Sequence, residues 1–363
     1  MKTANPLSGE CPGAHRNHPL AEDLEQILSE TRGLWDELRG QRLFITGGTG
    51  FFGTWLLESF AWANARLDLQ SSAMVLTRNP DAFRRKAPHL ASDSSIRFHV
   101  GDIRSFDFPE GTFSHVIHAA TEASAKLNEE APLTMCDTIV LGTRRTLDFS
   151  RRCGARKFLL TSSGAVYGKQ PSDLSHVPEE YLGAPDPANP SSAYGEGKRV
   201  AELLSVVFAK QYGLQVKIAR CFAFVGPHLP LDTHFAIGNF IRDGLKGGPI
   251  WVKGDGTPYR SYLYAADLTI WLWMVLFRGT SCRPYNLGSE AAITIADLAQ
   301  SVAGCFQPPA RVQITQEAVL GKPAERYVPC TQRAQAELGL KQTVGLSDSI
   351  RRTIAWHRTI RML

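Results

Sequence analysis

A doubly wound α/β fold, with a parallel sheet covered on both faces by helices, is predicted for this chain by two observations. Short apolar strands alternate with helix-length segments through its first 220 or so residues, and a glycine-rich turn joins the first strand to the first long helix. The chain has 363 residues, 43% of them hydrophobic and 21% charged, which suits one large soluble domain or two closely joined ones.

Residues 1 to about 20 are rich in Pro, Gly, His and Asn and read as an arm. Leu20, Leu24, Ile27, Leu28, Leu34 and Leu38 then recur at helical spacing, predicting a helix that leans on the body of the fold as a packing extension. Leu43 to Ile45 is a short buried strand, the glycine turn follows, and residues 54 to 66 form an apolar-faced helix. Further strands are expected at residues 73–76, 96–100, 115–118, 157–161 and 215–220, and a helix runs from Tyr194 to about Tyr212. Beyond the sixth strand the rhythm loosens, with loop-rich stretches at 227–232, 247–256 and 307–326. The expected division is an arm and helix at 1–38 and a Rossmann-type dinucleotide domain at 39–225, to which 258–290 returns. A smaller substrate-binding lobe is expected from 226–257 and 291–363.

The formal charge of +5 is mild, and Lys and Arg are scattered, which favours a small anionic ligand and argues against nucleic acid. The seven cysteines form no CxxC pair and no metal-ligand spacing, so a reducing, cytoplasmic setting without a metal site is expected. The start lacks the apolar core of a signal peptide, and the longest apolar run, Leu268 to Phe277, is about half of what spans a bilayer. A soluble protein with no membrane partner follows.

The turn reads Thr46-Gly47-Gly48-Thr49-Gly50-Phe51-Phe52-Gly53. A backbone that must take positive φ and approach a pyrophosphate needs residues without Cβ. Gly47, Gly50 and Gly53 fill those places, Phe51 and Phe52 lie between them as further cofactor-binding candidates, and the N-terminus of the helix that follows presents free N–H groups to the phosphates. At the end of the second strand, an acid would bind the ribose hydroxyls of NAD and an arginine the 2′-phosphate of NADP. Here Arg78 is present and the acid is missing, a slight lean to NADP that leaves NAD open. Asp102 and Ile103, after the third strand, are placed to frame the adenine.

Tyrosine ionises near pH 10 and is a poor base at neutrality, but a lysine one helical turn on favours its phenolate. Tyr194 and Lys198 have that spacing. Ser163, in the hydroxyl-rich segment Thr161 to Gly168 at the end of the fifth strand, is the candidate to orient a substrate oxygen.

At these residues the sequence resembles the extended short-chain dehydrogenase/reductase family, in its nucleotide-sugar epimerase and dehydratase branch. The resemblance runs from about Gln41 to Arg358 and includes His118-Ala119-Ala120, Gly226-Pro227, Gly254 to Thr257, Ala266-Asp267-Leu268, Tyr285 to Ser289 and Arg326-Tyr327-Val328-Pro329. It implies that Ser163, Tyr194 and Lys198 are the catalytic triad, with Tyr194 and Lys198 also touching the NAD or NADP, and that Ala119 and Ala120 line the cofactor. It further implies that Arg260 and Arg326 grip a nucleotide diphosphate and that Asn239 contacts the substrate. The helices from Tyr194 onward and near residues 138–151 resemble those that pair in a homodimer of the family.

In 4,6-dehydratases of the branch an Asp and a Glu typically follow the triad hydroxyl, and decarboxylases usually keep the Glu; here the residues are Gly164 and Ala165. The expectation is therefore an epimerase acting on a nucleotide-diphosphate sugar through a transient 4-keto intermediate, with the two small residues leaving room for the sugar to turn. A dehydratase or decarboxylase, with Glu122 as substitute carboxylate, is the alternative, and an NADPH-dependent carbonyl reductase a further one. Glu122 is otherwise expected to bind a sugar hydroxyl. Ile139 and Ala223 stand where the family has asparagines, which points to a divergent substrate.

Overall fold

The structure, a computed structural model, describes residues 18–121, 125–233 and 235–362. Seven parallel strands form the central sheet: β1 Arg42–Thr46, β2 Ser72–Thr77, β3 Ile96–Val100, β4 His115–His118, β5 Lys157–Ser163, β6 Gln215–Cys221 and β7 Pro284–Leu287, in the order β7-β6-β5-β4-β1-β2-β3. Strand order reverses between β1 and β4, so a crevice opens beyond their carboxyl ends, where doubly wound sheets bind ligands.

The period of two along each strand sorts the core into two layers. Leu43, Ile45, Ala73, Val75, Ile117 and Leu159 face helices α1 (Ala21–Thr31), α2 (Phe51–Arg66) and, later in the chain, Ala265–Arg278. Phe44, Val116, Phe158, Leu160, Val216 and Ile218 face α3 (Pro132–Arg152) and α4 (Ala193–Tyr212). A third core gathers Ile237, Phe240 and Ile241 of α5 (Ala236–Leu245) with Ile250, Val252, Leu298, Val302, Ile350 and Ile354.

Several elements differ from expectation. The first long helix starts at Phe51, three residues early, because the Gly50 carbonyl already accepts the Thr54 N–H at 2.9 Å. Helix α1 and the 3-10 turn after it are part of the main core: Trp35 is fully buried against Trp273 with ring centroids 4.8 Å apart. Asp23 also accepts hydrogen bonds from Tyr264 at 2.7 Å and Arg352 at 2.5 Å, tying α1 to the last helix, Leu346–Met362. The loop-rich stretches contain two- and three-residue strands, which pair as 250–252 with 312–314 and as 259–260 between 293–294 and 326–327. The apolar run 268–277 lies inside the buried helix Ala265–Arg278, and no helix of the described residues is long and apolar enough to cross a membrane.

Candidate active site

The cofactor-binding expectations gather at the switch point. Gly47 has a φ of +71°, and a Cβ there would lie 2.4 Å from the Ala119 carbonyl carbon and oxygen. A Cβ on Gly53 would lie 2.3 Å from the Gly47 oxygen, so α2 meets the turn only because residue 53 has no side chain. Gly50 is the extended residue before the helix, and Phe51 and Phe52 form its first turn, with Phe52 edge-on to Phe224 at 5.2 Å. This is a cradle that side chains would fill, and it fits a dinucleotide pyrophosphate at a helix N-terminus. Lys86, which no motif marked, donates to the Thr49 carbonyl at 3.1 Å and brings a cation to the rim of the turn.

The loop after β4 is fixed by one imidazole. His118 Nδ1 lies 2.8 Å from the Thr46 hydroxyl and Nε2 lies 3.0 Å from Thr143, while Thr46 also accepts the Ala120 N–H at 3.3 Å. Burial, with the Lys198 charge acting the same way, holds His118 down to about 3, so it is neutral and serves as a cross-link. Ala119 and Ala120 are thereby held beside Gly47. At the adenine end, the Asp102 carboxylate is engaged by Arg104, which donates its Nε at 2.8 Å, and Ile103 packs where Gly142 leaves space. Arg78 is exposed at the end of β2.

The proton-transfer residues converge beyond β5 and β6. Ser163 ends β5, and its hydroxyl accepts the Ala165 N–H at 3.1 Å. Tyr194 stands in the first turn of α4, where Asn128 accepts its backbone N–H at 3.0 Å and so anchors the helix start. Gly195 and Gly197 let that helix approach closely: Cβ atoms there would lie 2.7 Å from Pro185 and 3.2 Å from Ile139. The Tyr194 phenol faces Ser163, which acts to lower its pKa, while burial is the larger effect and pushes it up to about 12. Lys198 donates to the Thr121 hydroxyl and the Thr161 carbonyl, both at 2.8 Å, and its ammonium lies 5.9 Å from the Tyr194 ring centre. Burial lowers Lys198 to about 8, so it remains largely charged at neutral pH. Serine, tyrosine and lysine thus form a unit able to move a proton to and from a substrate hydroxyl.

A second phenol completes this wall. Tyr327 also faces Ser163, and burial raises its pKa well above that of free tyrosine. Its ring packs at a tilt against Phe222, with centroids 4.7 Å apart. A Cβ on Gly164 would lie 2.7 Å from both the Tyr327 hydroxyl and the Phe222 ring, so the room expected beside Gly164 is already filled. Cys221, opposite Ser163 in the β5–β6 register, is a buried thiol pushed up to about 12 by burial and therefore neutral. Tyr327 adjoins Arg326 in a quoted motif, but nothing in its spacing distinguishes it from a packing tyrosine.

A profile of the NAD dependent epimerase/dehydratase family matches residues 43–288, the span holding the cradle and the Ser-Tyr-Lys unit. The chain belongs to this family. It is 30% identical over 310 residues to UDP-glucuronic acid decarboxylase 5 of Arabidopsis thaliana, covering 85% of this chain and 87% of that one. UDP-glucuronic acid decarboxylase 1 of Danio rerio is 28% identical over 317 residues, covering 87% and 72%. Among solved structures, the dTDP-glucose 4,6-dehydratase DesIV of Streptomyces venezuelae, with NAD and TYD bound, has a TM-score of 0.73 at 25% identity, covering 88% of this chain and 98% of that one. The UDP-glucose 4-epimerase of Thermotoga maritima has a TM-score of 0.74 at 20% identity, covering 88% and 99%, and so shares the fold.

In this member of the family the substrate-binding expectations are dispersed. Arg260 pairs in register with Tyr327, and Arg326 with Tyr259. Side chains alternate along strands, so Arg260 shares the Tyr327 face toward Ser163, whereas Arg326 lies on the other face, 4.1 Å over the Tyr259 ring. The two arginines expected to act together are therefore separated. Asn239 lies on α5, where its side-chain oxygen accepts from Arg242 at 2.8 Å. Glu122 lies outside the described residues. The family's asparagine positions are filled by Ile139, buried against Gly197, and by Ala223, whose carbonyl accepts the Leu263 N–H at 3.1 Å.

Proposed function

We propose that this chain is an epimerase that inverts C4 of a nucleotide-diphosphate sugar through a transient 4-keto form. Tyr194 takes the proton of the sugar hydroxyl, Ser163 orients that oxygen, and Lys198 favours the phenolate through its charge. The bound nicotinamide dinucleotide supplies the chemistry of accepting and returning a hydride. On the turned keto sugar Tyr194 would give the proton back, to a hydroxyl of inverted configuration. The observation that carries this reading is Gly164, whose side-chain volume is taken by Phe222 and the Tyr327 phenol where dehydratases place an acid. A panel of UDP-, dTDP-, GDP- and CDP-sugars tests it: an isomer of unchanged mass is expected, and a product lighter by water or carbon dioxide contradicts it.

A second reading, decarboxylase, is favoured by the relatives at 30% identity. Oxidation at C4 of a sugar acid makes a β-keto acid, which loses carbon dioxide without a base. The carbon left behind needs a proton, and Tyr327, kept protonated by burial, is the group to donate it. An exchange-labelled pentose formed in deuterated water is the outcome specific to that reading.

Arg78, in place of an acid at the end of β2, supports NADP, while the NAD in DesIV supports the alternative. The mass of the dinucleotide released on denaturation distinguishes them. Homodimer formation is supported by an exposed apolar stripe on α4, Val200, Leu203 and Val207, near Leu133 and Leu141 of α3. Leu203→Glu is expected to shift the chain to monomer in size-exclusion chromatography. The six cysteines of the described residues that are free thiols suit a reducing, cytoplasmic setting.

A further inference from the structure

Away from the crevice, on the outer side of α2, three histidines surround one buried carboxylate. Glu58 lies two turns beyond Gly50 and is 3% exposed. His89 Nε2 is 2.8 Å from its Oε1, His228 Nε2 is 3.4 Å from the same oxygen, and His18 Nε2 is 3.3 Å from Oε2. The ligating atoms of His18, Glu58 and His89 all lie within 4.8 Å of one another. His228 lies outside that group of three and meets it at Glu58. We propose that His18, Glu58 and His89 bind one divalent transition-metal ion of the zinc class, with His228 drawn in as the fourth ligand.

Four arguments support this site. Adjacent ligands of a tetrahedral zinc, with bonds of about 2.0–2.1 Å, stand about 3.4 Å apart, close to the spacings found around Glu58. Three imidazoles and a carboxylate are a donor set that zinc and its neighbours accept, and hard cations such as magnesium do not favour. One carboxylate balances one imidazolium, so the remaining two imidazoles have no charge partner in the cluster, whereas a dication is held by neutral imidazoles and one carboxylate.

The fourth argument is His228. It is 7% exposed, and neither ring nitrogen has a hydrogen-bond partner, although Nε2 points at Glu58. A buried imidazole without partners is costly, and ligation removes that cost at one nitrogen. His228 also holds a φ of +67°, in the left-handed region that few residues other than glycine adopt, although histidine tolerates it better than most. Ligation of His18 through Nε2 places its proton on Nδ1, so the 3.2 Å contact from the Leu20 amide is released on binding. His89 is half-exposed and provides the route of entry. The four residues come from the segment before α1, from α2, from the short helix Pro88–Ala91 between β2 and β3 and from the loop after β6, so their sequence positions carry no motif spacing. A bound ion would clamp these four segments together without touching Ser163, Tyr194 or Lys198.

The test uses the full chain, stripped with a chelator and dialysed. Zinc is titrated against a chromogenic indicator, and cobalt is added separately to read its visible spectrum. One equivalent of zinc per chain, an intense tetrahedral cobalt spectrum and a zinc-dependent rise in Tm are expected. His89→Gln, at a half-exposed position that should not disturb folding, is expected to weaken zinc binding at least about tenfold and to abolish the Tm rise. Glu58→Gln should do the same if it folds. Absence of stoichiometric zinc binding by the wild type, or binding unchanged in His89→Gln, overturns the proposal. None of these readouts depends on which sugar is turned over.

Discussion

Tyr194 and Tyr327 both face Ser163, but on scaffolds of opposite kind. Tyr194 stands in the first turn of a 20-residue helix whose start is held by Asn128 and whose glycines seat it against Pro185 and Ile139. Tyr327 sits on a two-residue strand that pairs only with Tyr259-Arg260 and is reached through an irregular stretch from the third core. The group needed for oxidising any hydroxyl is thus built into the doubly wound framework. In the proposed reaction, the group that would distinguish one fate of the keto sugar from another is carried by short strands, which tolerate change without disturbing the sheet.

The largest expected effect lies at the framework tyrosine. Tyr194→Phe should lower kcat by about 10²–10⁴-fold, while Tyr327→Phe should lower it less and leave dinucleotide retention intact. Equal losses in the two variants, measured by turnover of the same sugar, would erase the distinction between the two walls. The two arginines sharpen it next. Arg260→Ala, on the Tyr327 face, should raise KM by about 10–100-fold, as loss of a charged hydrogen bond does, and Arg326→Ala by less than about threefold.

Gly164→Ala tests whether the second wall is as full as it looks. With Phe222 and Tyr327 each 2.7 Å from the new Cβ, overpacking should cost about 1–3 kcal/mol in denaturant unfolding. Combination with Tyr327→Phe should recover part of that loss, because removing the hydroxyl relieves one of the two contacts.

The smallest effect is a pH limb. Lys198, lowered by burial to about 8, loses its charge above that pH and with it the support for the Tyr194 phenolate, so kcat/KM should fall on an alkaline limb near pH 8. The stability change has the opposite sign. Between about 8 and the ordinary lysine value of about 10.4 the unfolded chain binds more protons than the folded one, so stability should rise with pH across that window. Charge-neutral Lys198→Met should flatten both trends.

Six strands of the sheet were readable because each is an apolar run long enough to show its character, and the glycine turn because its residues sit between a strand and a helix. Strand β7 was readable only as a motif, Tyr285 to Ser289, and the two-residue strands not at all, since so short a segment carries no period. Ser163, Tyr194 and Lys198 were legible from chemistry and helical spacing, and the structure brings them together. Arg326 was paired with Arg260 by the family resemblance, and strand alternation sends it to the other face. Tyr327, Phe222 and Cys221 meet only through tertiary contacts, as do His18, Glu58, His89 and His228, so their proximity was invisible in the chain.

The central claim, oxidation at C4 followed by return of the same hydride, is tested most directly with nucleotide sugars deuterated at C4, including a sugar acid, followed by NMR and mass. The account predicts an isomer of unchanged mass that keeps its deuterium at an inverted C4. A product that has lost carbon dioxide or water, or that has lost the C4 label to the medium, would contradict it.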